Sequence, residues 1–215
     1  MKDRLRAEDI DRVVFCGKVE RPSLSDLMPD WRGVKFLVRI GGRLLSDNRL
    51  MEAIIKEFES EGFAVIGPAD VAGSLLAKSG PYGRLLPSAE EGSAIVAGFA
   101  AARVAGRRDI GQAAVVRGAQ VLDVEGADGT DALIARCAAR HQDASGAILV
   151  KARKPQQEMR ADPPVIGLRT VQKAAAAGFR GIAVEAGGVL VLDGAALGVA
   201  ADNAGMFLVG ADVPA

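Results

Sequence analysis

The chain has 215 residues, 49% hydrophobic and 25% charged, which is enough apolar material for one large domain or two small ones. Its 27 Lys and Arg balance 27 Asp and Glu, which excludes a general nucleic-acid binder, because such a surface needs a basic excess. One His and two Cys leave little for a zinc hydrolase or a Ser-His-Asp triad, and 4% aromatic content excludes a base-stacking platform.

The start is charged and lacks the apolar core of a signal peptide. No run reaches the roughly 18 uncharged apolar residues of a membrane span, so the chain reads as cytoplasmic. Residues 1–10 read as the end of a helix and 13–16 as a short strand, which places the first residues inside an α/β unit. The strand's outer edge would be unpaired, a feature that favours association with a second copy. The run C-G-K-V-E-R-P, residues 16–22, follows the strand's carboxyl end, where open α/β sheets bind ligands. Lys18 and Arg21 are therefore candidate anion contacts; the alternative is a plain turn. Cys16 and Cys137 lack CxxC spacing and read as buried free thiols.

Residues 24–28 and 31–45 carry helical spacing. A better helix opens at Asp47, where Leu50, Ile54, Ile55 and Phe58 form one apolar stripe, and Gly62 ends it. Residues 63–66 follow as a strand. Composition shifts at Gly67-Pro68, which places a domain boundary near residue 72 and makes 73–88 a linker or lid. An Ala-rich helix spans 93–105. Strands at 113–116 and 120–124 form a hairpin about Gly118.

The turn E-G-A-D-G-T-D, residues 125–131, precedes a helix over 132–139, with Thr130 placed to cap it. Its free N–H groups suit a phosphate, and Glu125, Asp128 and Asp131 suit Mg²⁺, which prefers oxygen ligands. Acids that merely favour the helix dipole are the other reading. His141, in a polar segment, reads as exposed.

Residues 147–170 read as strand, polar loop, strand. Pro155, Pro163 and Pro164 forbid a continuous helix there. The stretch carries Lys151, Arg153, Lys154, Gln156, Gln157 and Arg160, four cations and two amides that suit a phosphate-rich anion. Asp162, the only carboxylate after Glu158 in this loop, is held by two prolines; beside cations it is able to bind a metal or position a water. An ordinary charged surface loop is the alternative. Beyond it come a helix at 171–177, strands at 181–184 and 189–192, a helix at 195–204 and a last strand at 206–209. The alternation indicates an α/β chain with a mixed sheet flanked by helices.

Several stretches, in order over nearly the whole chain, resemble a known family: F-C-G-K-V-E-R-P, L-M-P-D-W-R-G, E-F-E-S-E-G-F, R-R-D-I-G-Q-A-A-V-V, V-E-G-A-D-G-T-D-A-L-I, K-A-R-K-P-Q-Q-E-M-R-A-D-P-P-V-I-G, G-I-A-V-E-A-G and D-N-A-G-M-F-L-V-G. They resemble the LpxI-type UDP-2,3-diacylglucosamine pyrophosphatases of Gram-negative bacteria. The resemblance implies Mg²⁺-dependent hydrolysis of the substrate's pyrophosphate, by water attack at the sugar-side phosphorus. UMP and 2,3-diacylglucosamine 1-phosphate, a lipid A precursor, are then the products. It implies two α/β domains holding the lipid between them, and it places the family's essential acid on Asp162.

The family's opening strand and glycine-rich turn have no counterpart here, and by the family's domain size the chain is expected to start roughly sixty residues later. The expected organisation is thus an incomplete Rossmann-like, nucleotide-side lobe over 1–72, a linker over 73–88, and a mixed α/β catalytic lobe over 89–215. The expected substrate contacts are Lys18, Gln112, Thr130, Lys151, Arg153, Lys154, Gln156, Gln157 and Glu185. The expected metal ligands are Asp162, Asp128 and Asp131. The expected partners are the UDP-diacylglucosamine or its lipid product, a peripheral contact with the inner membrane, and a second copy of the chain. A non-catalytic module that binds a lipid phosphate or nucleotide sugar is the competing function.

Overall fold

The computed structural model describes residues 2–17, 47–140 and 144–213. Elements are numbered among these. The chain divides into two compact units, Met1–Val71 with Arg160–Asp162, and Ala72–Met159 with Pro163–Ala215. The class is α/β, as the alternating pattern predicts.

The first unit contains helix α1 (Lys2–Ala7), strand β1 (Arg12–Val14), helix α2 (Asp47–Ser60), strand β2 (Ala64–Ile66) and a short helix α3 (Pro68–Val71). Strands β1 and β2 pair in parallel. The α2 stripe supplies the core: Ile55 and Phe58 are buried with Phe63 and Val65, and Ala161 packs against them. Phe15 meets Phe58 edge to face, centroids 5.2 Å apart, a geometry the ring quadrupoles favour. Arg160 reaches Glu59 at 2.7 Å. Cys16, expected to be buried, is exposed, although its neighbour Phe15 packs on Phe58 of α2. The helices expected at 24–28 and 31–45 lie outside the described residues, as do Lys18, Arg21 and His141.

The second unit is built on strands β3 (Gly80–Pro81), β4 (Ala113–Arg117), β5 (Gln120–Val124), β6 (Ile148–Lys151), β8 (Gly181–Glu185) and β10 (Phe207–Ala211). They form one mixed sheet of order β3-β10-β8-β6-β4-β5. Strands β6, β8 and β10 run parallel, and β4 is antiparallel to β6. A small parallel pair, β7 (Val165–Ile166) and β9 (Leu190–Val191), stands apart. Each sheet lies within one unit.

Helices cover both faces of the large sheet. On one side α5 (Thr130–Arg140), α6 (Leu168–Ala176) and α7 (Gly194–Asn203) bury Leu133, Val171 and Leu197 with Val115, Leu149, Ile182 and Leu208. On the other, α4 (Ala89–Arg107) buries Ile95 and Phe99 with Val116, Val150, Ala183 and Val209. Successive strand residues thus feed opposite layers, the period-two rule at work in strands buried on both faces. Gly98 lets α4 approach β6: a Cβ there would lie 2.5 Å from Val150 Cγ2. Among the described residues no helix is long and apolar enough to cross a membrane.

Residues 73–88, expected to link two lobes, are instead built into the second unit. Gly80–Pro81 pairs with β10, Ala77 is buried, and the Arg84 N–H and side chain bind Asp202 of α7 at 2.7 and 3.1 Å. Helix α4 also starts four residues earlier than its periodicity suggests. Ser88 and Glu91 form a reciprocal capping box that satisfies two otherwise unpaired donors.

Candidate active site at the carboxyl end of the sheet

Three charged side chains of the described residues are buried: Glu125, Lys151 and Glu185, at 5%, 6% and 7% exposure. All three lie at one end of the large sheet. Lys151 ends β6 and Glu185 ends β8, where Lys151 stands in register with Val184. Because β4 runs the other way, its first residue, Ala113, lies opposite Lys151. Glu125, just past β5, donates its N–H to the Ala113 carbonyl at 2.8 Å. Ligands of open α/β sheets gather at this carboxyl end. Buried charge is costly unless partnered, so its concentration at one edge needs a reason in chemistry.

The partners form a chain. Lys151 Nζ donates to Thr130 Oγ1 and to the Val165 carbonyl, each at 3.0 Å. The Thr130 hydroxyl donates to Glu125 Oε1 at 2.6 Å. Glu125 Oε2 accepts the Gln112 N–H at 2.7 Å, and the Gln112 carbonyl accepts the Ala152 N–H at 2.9 Å. Gly111 makes this possible, since a Cβ there would collide with the Glu125 carbonyl. Gln112 Oε1 is buried with no hydrogen-bond partner, an acceptor that awaits a donor. Thr130, expected to cap α5, is instead that helix's first residue. Its hydroxyl is committed to Glu125 and Lys151.

Glu185 carries the second half of the cluster. Its Oε2 accepts the Arg153 N–H at 2.8 Å, while Arg153 Nε and the Arg103 guanidinium both lie 3.7 Å from Oε1. Arg103, on α4, escapes a sequence reading. The one available signal is its place four residues after Phe99, at the end of an Ala-rich helical face. Among the described residues, Lys151, Arg103 and Arg153 are the cations that share this end of the sheet with Glu125 and Glu185.

The rest of the polar loop does something else. Lys154 Nζ pairs with Asp109 at 2.6 Å, Gln156 Nε2 donates to the Gly106 carbonyl at 2.7 Å, and Gln157 Oε1 accepts the Lys154 N–H at 3.1 Å. Gln156 and Lys154 fasten the loop to the carboxyl end of α4 and to Asp109 just past it, where donors and cations are favoured, and Gln157 closes the loop on itself. The acidic turn divides in the same way. Asp128 pairs with Arg136, which also holds Asp123 at 3.0 Å and the Val124 carbonyl at 3.1 Å. The hydrogen bond to Asp123 is the main reason the Arg136 pKa is raised further. Asp131 faces Lys173 at 2.8 Å and Arg169 at 3.3 Å. Asp128 and Asp131 therefore do not fit a shared Mg²⁺ site, and among the described residues no three His, Cys, Asp or Glu side chains gather as one. Asp162 is exposed and belongs to the segment that packs with the first unit.

An apolar groove of about 280 Å³ runs between α4 and the β3–β10 edge, lined by Pro81, Leu86, Ile95, Val96, Phe99 and Val209 among others. Its lining includes Ala211, the register partner of Glu185.

Residues 1–75 match the family of the LpxI N-terminal domain and residues 78–209 that of the LpxI C-terminal domain. The UDP-2,3-diacylglucosamine pyrophosphatase LpxI of Caulobacter vibrioides is 43% identical over 215 residues, covering 97% of this chain and 77% of that protein.

Proposed function

From the fact that the chain belongs to the LpxI family, we propose that it hydrolyses the pyrophosphate bond of UDP-2,3-diacylglucosamine, releasing UMP and 2,3-diacylglucosamine 1-phosphate for lipid A synthesis. The observation that supports this reading best is the burial of Lys151, Glu125 and Glu185 at the carboxyl end of the sheet, with Arg103 and Arg153 placed against Glu185 at that same end. Cations held in place before substrate arrives stabilise charge on phosphoryl oxygens without reorganising. Lys151 and Arg153 are assigned to those oxygens, with Arg103 behind them, and Gln112 and Thr130 to polar contacts around them. In the proposed reaction a water oxygen bonds to the sugar-side phosphorus. The bridging P–O bond breaks, and UMP leaves with the bridging oxygen and its electron pair. The water is assigned to Asp162 through the family resemblance alone.

Mg²⁺ dependence belongs to this reading through the family resemblance. Such an ion, which prefers oxygen ligands, would supply charge neutralisation at the phosphates. Asp162 is the carboxylate proposed for it, through the same resemblance; Asp128 is paired with Arg136, and Asp131 with Arg169 and Lys173. The apolar groove along α4 is assigned to an acyl chain.

The deciding experiment measures UMP release from UDP-2,3-diacylglucosamine, with UDP-N-acetylglucosamine as the second substrate and a chelator arm for the metal. Release from the diacyl substrate alone supports the reading. Equal rates on both substrates would remove the lipid from it, and no release from either would remove hydrolysis.

A further inference from the structure

We propose that Glu125 is a positioning residue that aims Lys151 by fixing the proton of Thr130, an inference that rests on the functional reading above. A hydroxyl has one proton and two acceptor lone pairs. The Thr130 proton is committed to Glu125 Oε1 at 2.6 Å, which turns a lone pair toward Lys151 Nζ at 3.0 Å. An ammonium has only protons to offer, so this is the one hydroxyl orientation that serves it. The carboxylate is itself fixed, because its other oxygen is held by the Gln112 N–H at 2.7 Å. Gln112 in turn accepts from Ala152, the residue after Lys151. The network is thus closed on the same strand end that carries the lysine. With Glu125 and Lys151 both buried, water does not compete for these bonds, and a hydrogen-bond chain in such surroundings orients its members firmly. The Val165 carbonyl fixes a second Lys151 proton. Thr130 and Val165 are thus two of the acceptors that direct the ammonium, and the first of them depends on Glu125.

The conservative change Glu125→Gln keeps shape and burial but puts an NH₂ where Thr130 needs an acceptor. That amide donates to Thr130, the hydroxyl proton turns toward Lys151, and the ammonium loses its acceptor. A kinetic double-mutant cycle over Glu125→Gln and Thr130→Val on the full chain tests this, with UMP release as the readout. Each single variant is expected to lower kcat roughly tenfold with little change in KM, and the double variant to be no slower than Thr130→Val alone, since residues in one network are non-additive. Thr130→Ser, which restores the hydroxyl, should recover most of the loss. Multiplicative losses would overturn the proposal, as would wild-type kcat in Glu125→Gln, because Glu125 would then act only as support for its turn. If Glu125→Gln fails to fold, Thr130→Val and Thr130→Ser decide: equal rates in those two overturn it. A wild-type chain that releases no UMP overturns the functional reading and the positioning role with it. The same cycle read in melting temperature is separate, because non-additive shifts there report the hydrogen-bond chain itself.

Discussion

Replacing Lys151 by Met separates a residue kept for chemistry from one kept for stability. Lys151 donates two hydrogen bonds at 3.0 Å, to Thr130 and Val165. A bond from a charged donor is worth about 1.5–3 kcal/mol, so their loss costs about 3–6 kcal/mol. Met has nearly the same shape and removes a buried ammonium whose desolvation costs several kcal/mol. The two terms nearly cancel, and Lys151→Met should stay within about 2 kcal/mol of wild type, a shift of at most about 8 °C in melting temperature at this chain size. The activity has no such compensation. A preorganised charge contact to a reacting phosphoryl group is worth on the order of 10²–10³ in rate, so UMP release should fall by that factor. The assay pairs a thermal melt with a single-time-point UMP measurement on the same preparation. A variant that melts more than about 10 °C lower yet turns over normally in its folded fraction would make Lys151 a structural residue and sink the proposed site.

Asp162→Ala should lower kcat by about 10² to 10⁴ with an unchanged melt, since the side chain is exposed; near-wild-type UMP release would shift the assignment to Glu185. Val96, 55% exposed on the groove wall, tolerates a charge without unfolding. Val96→Asp should therefore reduce kcat/KM for the diacyl substrate about tenfold, whereas an equal loss on a short-chain analogue would detach the groove from the lipid. A thiol reagent should label Cys16 in the native chain and reach Cys137 only on denaturation, because one is exposed and the other buried. Burial, and secondarily Asp123, pushes the Cys137 thiol up to about 11 from its ordinary 9.0. A raised thiol pKa means the folded state holds its proton longer, so stability is intact below about pH 9 and falls as pH climbs toward 11. Cys137→Ala should remove that part of the alkaline loss, and identical pH–melting curves for the two proteins would contradict it.

What the chain discloses before folding depends on how far away each residue's partner lies. Helix α2 is legible because Ile54, Ile55 and Phe58 repeat with the helix period, and β6 and β8 because runs of buried residues between turn signals suit strands covered on both faces. Gly80–Pro81 is not legible. Its local chemistry is that of a turn, and it becomes a strand only through β10, where Ser79 also binds Asp212 across 133 positions. The same distance effect splits the candidate site. Counting cations and amides in residues 151–157 marks an anion site, but a helix carboxyl end asks for the same residue types as a phosphate does. Lys154 and Gln156 answer Asp109 and the Gly106 carbonyl, while Arg153 stays with Glu185. Thr130 shows it within one side chain: the residue type says cap, and the buried partners five and 21 positions away decide otherwise. The reading that survives both tests is positional. A lysine closing a four-residue strand whose every member is buried has no solvent to account for its charge. It must be answered by specific groups at the strand's end, and among the described residues Thr130, Val165 and, through Thr130, Glu125 are such groups.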